Sequence, residues 1–147
     1  MRNRKGFTLI EMMVVIGVLF VIITLALPNI IRSRINSNEF AAFANLKVIF
    51  TGCQNYYNGV YPHEFPLSMS DLTSPNSIPP YIDSYLASGE KQGYLFEYER
   101  NSEDSFSLRA NPKSSRIGKK YYFVDENGSY RYSTQGPADE NSAEFKT

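Results

Sequence analysis

The sequence is poor in the residues that build covalent or catalytic centres. Its 147 residues include one cysteine, Cys53, one histidine, His63, and no tryptophan. A single cysteine forms no disulfide within the chain, so an exported domain must be stabilised by burial and hydrogen bonds. With one histidine and no visible set of nucleophile, base and orienting group, we expect no catalytic residues and no enzyme.

The sequence also lacks a net charge, because 15 Lys and Arg residues balance 15 Asp and Glu residues. This balance does not indicate a nucleic-acid-binding protein, and we expect no nucleic-acid partner. The charges are unevenly distributed, because a basic stretch at 2–5 precedes an apolar run over 7–31 whose only charged residue is Glu11. A helix over this run rises about 37 Å, enough to cross a hydrocarbon layer of about 30 Å.

A secretory signal peptide is the alternative interpretation of this N-terminus. Residues 2–5 can serve as its basic region, 12–23 as its apolar region and 24–26 as a small-residue cleavage site. Two features disagree with it, because Pro28 follows the cleavage site closely and Glu11 lies inside the apolar run. A charge at the centre of a membrane helix costs about 2.5–3.5 kcal/mol, and somewhat less near an end, so Glu11 needs a compensating partner.

The start of the apolar run carries a continuous motif. It reads Lys5-Gly6-Phe7-Thr8-Leu9-Ile10-Glu11, followed by Met12-Met13-Val14-Val15-Ile16. This motif resembles the N-terminal signature of type IV pilins and type II secretion pseudopilins. The resemblance implies a leader over 1–6, cleavage between Gly6 and Phe7 by a prepilin peptidase that also N-methylates Phe7, and a role of Glu11 in assembly. In that role, Glu11 pairs with the new α-amine of Phe7 on a neighbouring subunit.

The resemblance also implies a location and partners. The chain would be a single-pass protein of the bacterial inner membrane, with a cytoplasmic N-terminus, a spanning segment over 7–31 and a periplasmic domain over 32–147. It would then polymerise with copies of itself and with other pilins or pseudopilins. The implied partners besides the prepilin peptidase and N-methyltransferase are an inner-membrane platform protein and an assembly ATPase.

Three functions stay open at this point. The lone Cys53 and the segment 56–62, which resembles the end of the long helix in pseudopilins, favour a type II secretion pseudopilin slightly. A type IV pilus subunit for adhesion, motility or DNA uptake is the second. The third is a secreted or membrane-tethered binding domain with an N-terminus like a signal peptide.

The long helix is predicted to continue past the apolar run and to cover 7–57. Pro28 lacks a backbone donor and disfavours helical geometry at the preceding residue, so we expect a kink or a locally melted segment within 24–28. Gly59 is placed to end the helix. Beyond the membrane, apolar residues at steps of three and four predict one buried stripe. The stripe comprises Ile35, Phe40, Phe43, Leu46, Phe50, Cys53 and Tyr57.

Alternating apolar and polar residues predict four strands, at 94–98, 105–109, 120–124 and 129–132. Residues 125–128 form a hairpin signal between the last two strands. We therefore expect an α+β protein, in which the second half of the N-terminal helix packs on a small antiparallel sheet. Residues 63–80 are predicted to be irregular with a helical turn at 70–72, and the polar tail from Gln135 is predicted to be loose.

No metal site is assigned from the sequence. Residues 125–128 resemble part of a calcium loop but lack its bidentate glutamate, so a turn is favoured. Some pseudopilins bind calcium in a C-terminal loop, and residues 139–141 offer oxygen ligands there. Cys53 is interpreted as a buried apolar residue rather than a reactive thiol, and His63 as a surface loop residue rather than a ligand or catalytic base.

Overall fold

The computed structural model describes residues 6–145. The chain divides into two compact units, Met1–Arg34 and Ile35–Thr147. One helix, α1 (Leu9–Gly59), contributes to both units. The leader boundary at residue 6 stays a prediction.

The N-terminal unit consists of the first part of α1. Among the described residues, α1 contains the one stretch that is long and apolar enough to cross a membrane by length and composition, and none of that stretch is buried. Here Thr24 donates its hydroxyl to the carbonyl of Phe20 at 2.7 Å. The helix assignment continues through Pro28 without interruption, so no locally melted segment is present. A kink at Pro28 stays a prediction.

The second unit combines the rest of α1 with an antiparallel sheet of six strands in sequential order. After α1 come a short 3-10 helix (Met69–Leu72) and α2 (Ser84–Ala87), and then β1 (Glu90–Lys91), β2 (Tyr94–Arg100), β3 (Phe106–Pro112), β4 (Tyr121–Asp125), β5 (Tyr130–Ser133) and β6 (Ala143–Glu144). The α+β class and the four predicted strands, which correspond to β2–β5, are confirmed.

The core lies between the sheet and the buried face of α1. From α1 it receives Ala42, Leu46, Ile49 and Cys53, all without solvent exposure. Alternate residues of β2–β4 contribute the sheet side of it, because successive side chains of a strand point to opposite faces. These sheet residues are Tyr94, Phe96, Phe106, Leu108, Ala110, Tyr122 and Val124. The predicted stripe is therefore right for Leu46 and Cys53 but wrong for Phe40, which is 73% exposed.

Gly52 allows α1 to approach the loop before α2 closely. A Cβ at this position would lie 2.9 Å from Cγ2 of Ile82, closer than two carbon atoms pack without displacement. The absence of a side chain at Gly52 thus lets Ile82 fill the core at this point.

The C-terminal tail departs from its prediction. Residues 143–144 form β6, which pairs with β5, and the N–H of Phe145 donates to the carbonyl of Tyr130 at 2.7 Å. The prediction of a loose tail was wrong for these residues because an aromatic side chain anchors them. The ring of Phe145 lies 4.7 Å from that of Phe43, centroid to centroid.

Candidate processing and assembly site

The predicted cleavage site lies on an open segment before the first helical residue. Gly6, Phe7 and Thr8 precede α1 without regular structure. A Cβ built on Gly6 would meet no atom within 4 Å, and Phe7 is 80% exposed. The backbone at the Gly6–Phe7 bond is therefore accessible to an enzyme that must draw it into a cleft.

Thr8 and Glu11 form a reciprocal cap on the start of α1. The backbone N–H and the hydroxyl of Thr8 donate to Oε2 of Glu11 at 2.8 and 2.7 Å, and the N–H of Glu11 donates to the hydroxyl oxygen of Thr8 at 3.3 Å. This arrangement satisfies donors that the first turn of any helix leaves unpaired. The motif alone did not reveal the role of Thr8, although the Thr-x-x-Glu spacing signals it.

The cap fixes where the Glu11 carboxylate lies. Both hydrogen bonds from Thr8 reach the same oxygen, Oε2. The carboxylate lines an open groove together with the predicted new N-terminal residue, Phe7, and with Ile10, Val14 and Val15. The structure thus brings Phe7 and Glu11 to one surface. Pro28 is not among the residues that line this groove.

The other candidates from the sequence lie in the second unit. The Cys53 thiol is fully buried, and this burial raises its pKa to about 12, which keeps it protonated near neutral pH. Nδ1 of His63 lies 2.9 Å from the carbonyl oxygen of Tyr57, so this nitrogen is the donor, and the two rings stack. Both arrangements agree with the structural roles expected for these residues.

Asp125 and Asp139, one in each of two C-terminal loops, accept hydrogen bonds from their own loops. Oδ1 of Asp125 accepts from the N–H groups of Asn127 and Ser129, which closes the β4–β5 hairpin, and Gly128 supplies the positive φ of +77° that this turn requires. Oδ1 of Asp139 accepts from the N–H of Asn141 and the hydroxyl of Ser142. These contacts lower the pKa of Asp139. Calcium at this loop stays a prediction.

Comparisons with known proteins agree with the N-terminal motif. Residues 1–27 match the family model described as the prokaryotic N-terminal methylation motif. The chain is 37% identical over 57 residues to the type IV major pilin protein of Myxococcus xanthus, a match that covers 39% of this chain and 26% of that protein. It is 36% identical over 63 residues to the type IV wide pilus major component of Thermus thermophilus, with 42% of this chain and 48% of that protein covered.

A third relative matches along nearly the whole chain. The type II secretion system core protein G of Escherichia coli is 25% identical, and the match covers 97% of this chain and 88% of that protein. By contrast, the chain spans about a quarter and about half of the two pilins. No solved structure matches the chain significantly.

The family-model match over residues 1–27 and the apolar helix give the chain a prepilin-like N-terminus. Over the rest of its length the chain is similar to the type II secretion core protein at 25% identity, and its two pilin matches at higher identity cover less than half of the chain. The matched signature and the apolar N-terminal helix agree with membrane anchoring.

Proposed function

We propose that the chain is a pseudopilin, a structural subunit of a filament that serves protein secretion, and that it acts by polymerisation rather than by catalysis. One observation carries this proposal. Similarity to the type II secretion core protein covers 97% of the chain, including the sheet, whereas similarity to the two pilins covers 39% and 42%.

Maturation begins at the Gly6–Phe7 bond. A prepilin peptidase cuts there from the cytoplasmic side and N-methylates Phe7, and the apolar segment 7–31 stays in the product as the anchor. The open backbone at Gly6 and the exposure of Phe7 support this step. The anchored subunit has a cytoplasmic N-terminus and a periplasmic domain until an assembly ATPase and a platform protein move it into the filament.

During assembly, two charges that would each be unfavourable in the lipid hydrocarbon on their own are brought together as a pair. The α-amine of Phe7 from one subunit approaches the Glu11 carboxylate of another, and in a medium of low dielectric constant each charge offsets the desolvation of the other. The shared groove of Phe7 and Glu11 supports this pairing, because a neighbouring subunit meets both at one surface.

Mass spectrometry of the mature protein from cells that contain a prepilin peptidase tests the maturation step. We expect a chain that begins at N-methylated Phe7. A chain that begins near Leu27 or retains Met1 would contradict the proposal and would favour a signal peptide or a simple anchor. Gly6→Leu should block cleavage. Gly17→Leu is the matched control, because a Cβ at Gly17 also meets nothing within 4 Å.

A type IV pilus subunit is the second candidate. The higher identities, 37% and 36%, are to pilins, although they concern 57 and 63 residues. The location of the assembled protein separates the two functions. A pseudopilin is expected in the cell envelope, whereas abundant protein in fibres sheared from the cell surface would favour the pilus subunit.

A further inference from the structure

The turn between β4 and β5 contains a sequence motif that carries no assigned role. Asn127, Gly128 and Ser129 form the pattern Asn-x-Ser, in which the middle residue is not proline. This pattern marks the acceptor of N-linked glycosylation in exported proteins when it lies on a surface loop. No other asparagine of the sequence is followed two positions later by serine or threonine. A motif this short is common, so its accessibility decides whether it is an acceptor site.

The asparagine of the motif lies on the exposed side of the turn. β4 ends at Asp125 and β5 begins at Tyr130, so the motif occupies the connection between the two strands. Asn127 is exposed, and its side-chain nitrogen donates to Oε1 of Glu126 at 2.9 Å. An asparagine amide carries two N–H groups, and this contact uses one of them. The nitrogen that would receive a glycan is therefore accessible from the solvent.

The two neighbours of Asn127 attach the turn to α1. Nε2 of Gln54 donates to the backbone carbonyl of Glu126 at 2.9 Å. A Cβ at Gly128 would lie 3.2 Å from Cζ of Phe50, so the backbone of the turn approaches the helix closely here. The turn thus packs on α1 through the residues on either side of Asn127, while Asn127 itself stays exposed. A glycan on Asn127 would require no displacement of these contacts.

Asp125 positions the two residues that the motif requires. Its Oδ1 atom accepts from the N–H groups of Asn127 and Ser129 at 3.1 and 2.9 Å. One carboxylate oxygen thus holds the acceptor asparagine and the hydroxyl-bearing residue on the same turn. Gly128 lies between them and adds no side chain that would hinder an approaching enzyme. Because the turn is already ordered, its binding to an enzyme would lose little conformational entropy of the backbone.

We propose that Asn127 is an acceptor for N-linked glycosylation by an oligosaccharyltransferase, with a lipid-linked oligosaccharide diphosphate as the glycan donor. In this reaction, Nδ2 of Asn127 bonds to the anomeric carbon of the first sugar, and the bond from that carbon to the diphosphate oxygen breaks. The lipid diphosphate leaves with the electron pair of that bond, and the amide loses one proton to a base of the enzyme. The proposal rests on the proposed periplasmic location of the globular unit, because the motif is used in exported domains.

Expression of the full chain in a Gram-negative host that contains a bacterial oligosaccharyltransferase and its lipid-linked oligosaccharide tests the site. Trypsin cuts after Lys120 and Arg131, so the peptide 121–131 contains the whole motif. We expect mass spectrometry to find this peptide shifted by the mass of the oligosaccharide, with the sugar on Asn127. An unmodified peptide from cells that glycosylate a known acceptor protein would overturn the proposal.

Variants at the third position separate recognition of the motif from the reactivity of any exposed asparagine. Ser129→Ala should abolish the mass shift, because it removes the hydroxyl and keeps Asn127, whereas Ser129→Thr should retain the shift. Asn58 is the internal control, because it is exposed and precedes Gly59 but has Val60 at the third position. It should stay unmodified. A glycan on Asn58, or full glycosylation of Ser129→Ala, would overturn the assignment to the motif.

Protease treatment of spheroplasts from the same cells distinguishes failure of the site from failure of the proposed function. A periplasmic globular unit is digested in intact spheroplasts, whereas a cytoplasmic one is protected. Digestion without a glycan would overturn the acceptor site and leave the pseudopilin proposal unaffected. Protection without a glycan would contradict export of the globular unit and would therefore overturn both proposals. A glycan on the peptide 121–131 together with digestion would support the site and the export on which it rests.

Discussion

The carboxylate of Glu11 accepts hydrogen bonds from both the backbone N–H and the hydroxyl of Thr8, at 2.8 and 2.7 Å. Glu11 thus caps its own helix in addition to the pairing with a neighbouring subunit that we propose. The two roles have different requirements. Capping needs a hydrogen-bond acceptor at this position, which glutamine also provides, whereas pairing with an amine needs the negative charge.

Glu11→Gln should therefore separate the two roles. We expect this variant to keep the cap, to be cleaved normally at the Gly6–Phe7 bond and to fail in filament assembly. Glu11→Ala should be cleaved and should fail likewise, because it lacks both the acceptor and the charge. Mass spectrometry measures the cleavage, and the yield of isolated filaments measures assembly.

Thr8→Val is the complementary variant, because it removes the capping hydroxyl and keeps the charge of Glu11. It should assemble more filament than Glu11→Gln. A wild-type filament yield from Glu11→Gln would show that the charge is not needed. A complete loss of filaments in Thr8→Val with normal cleavage would show instead that the cap carries the function.

Glu39 is expected to stabilise the globular unit mainly through one hydrogen bond. Its buried carboxylate accepts from the N–H of Lys119 at 2.8 Å, while its ion pair with the partly exposed Lys120 is longer, at 3.4 Å. Glu39→Ala leaves a backbone donor unpaired and should lower the free energy of unfolding by about 1–3 kcal/mol. Glu39→Gln keeps an acceptor for the N–H of Lys119 and loses the charge, so it should lower the free energy of unfolding less than Glu39→Ala does.

Denaturant unfolding of the full chain in detergent measures both variants of Glu39. Glu90→Ala is the control, because it breaks an exposed pair with Lys113 and should have an effect of about 0–1 kcal/mol. If Glu39→Gln lowers the free energy of unfolding as much as Glu39→Ala does, the ion pair with Lys120, and not the hydrogen bond, contributes most of the stabilisation.

The sequence predicted the elements that carry a strong periodic signal. The long helix, the strands β2–β5 and the 125–128 turn follow from apolar spacing and turn residues, and the structure contains them. It did not predict β1, α2 or β6, which have two or four residues each. Elements this short contain too few residues for a periodic pattern of apolar side chains. Tertiary contacts such as that of Phe145 with Phe43 therefore determine whether they form. Phe40 was misplaced because steps of three and four fit more than one face of a helix.

At the candidate site, the sequence predicted the residues but not their local geometry. Gly6, Phe7 and Glu11 follow from the motif alone. The hydrogen bonds between Thr8 and Glu11 could not be predicted from the sequence alone, because a threonine near a helix start has several possible hydrogen-bond acceptors within reach.

Cys53 should make the protein sensitive to alkaline conditions. Burial raises the pKa of its thiol to about 12, above an unfolded value near 8.5. Because the folded pKa is the higher one, the associated stability is fully present below about pH 8.5 and is lost as the pH rises towards 12. We expect the free energy of unfolding to fall by about 2 kcal/mol between about pH 7 and pH 10.

Cys53→Ala should be less stable than the wild type at neutral pH. Its free energy of unfolding should, however, decrease less between about pH 7 and pH 10. The comparison stays below about pH 10 because burial also raises the pKa values of Tyr94, Tyr98 and Tyr122. A decrease of the same size in both proteins would show that another group titrates. Thiol reagents at about pH 8 should modify Cys53 only after unfolding.

Phe145 should anchor the C-terminal strand to the core. Its ring centroid lies 4.7 Å from that of Phe43 and 5.7 Å from that of Tyr132, and its N–H bonds to the carbonyl of Tyr130. Because the ring is half-buried, Phe145→Ala should cost about 1–3 kcal/mol, less than the 3–5 kcal/mol of a fully buried phenylalanine. Phe145→Leu should recover part of this loss, because it restores apolar contact without the aromatic geometry.

Denaturant unfolding and amide hydrogen exchange of the Ala143–Glu144 strand measure the effect of these variants. The backbone bond from residue 145 to Tyr130 survives the substitution to alanine, so any loss of protection in β6 must come from the ring. The polar sequence after Gln135 predicts a tail without tertiary contacts. If that were correct, Phe145→Ala would not change the free energy of unfolding. Destabilisation together with faster exchange in β6 would therefore show that a single aromatic contact converts this polar tail into the sixth strand.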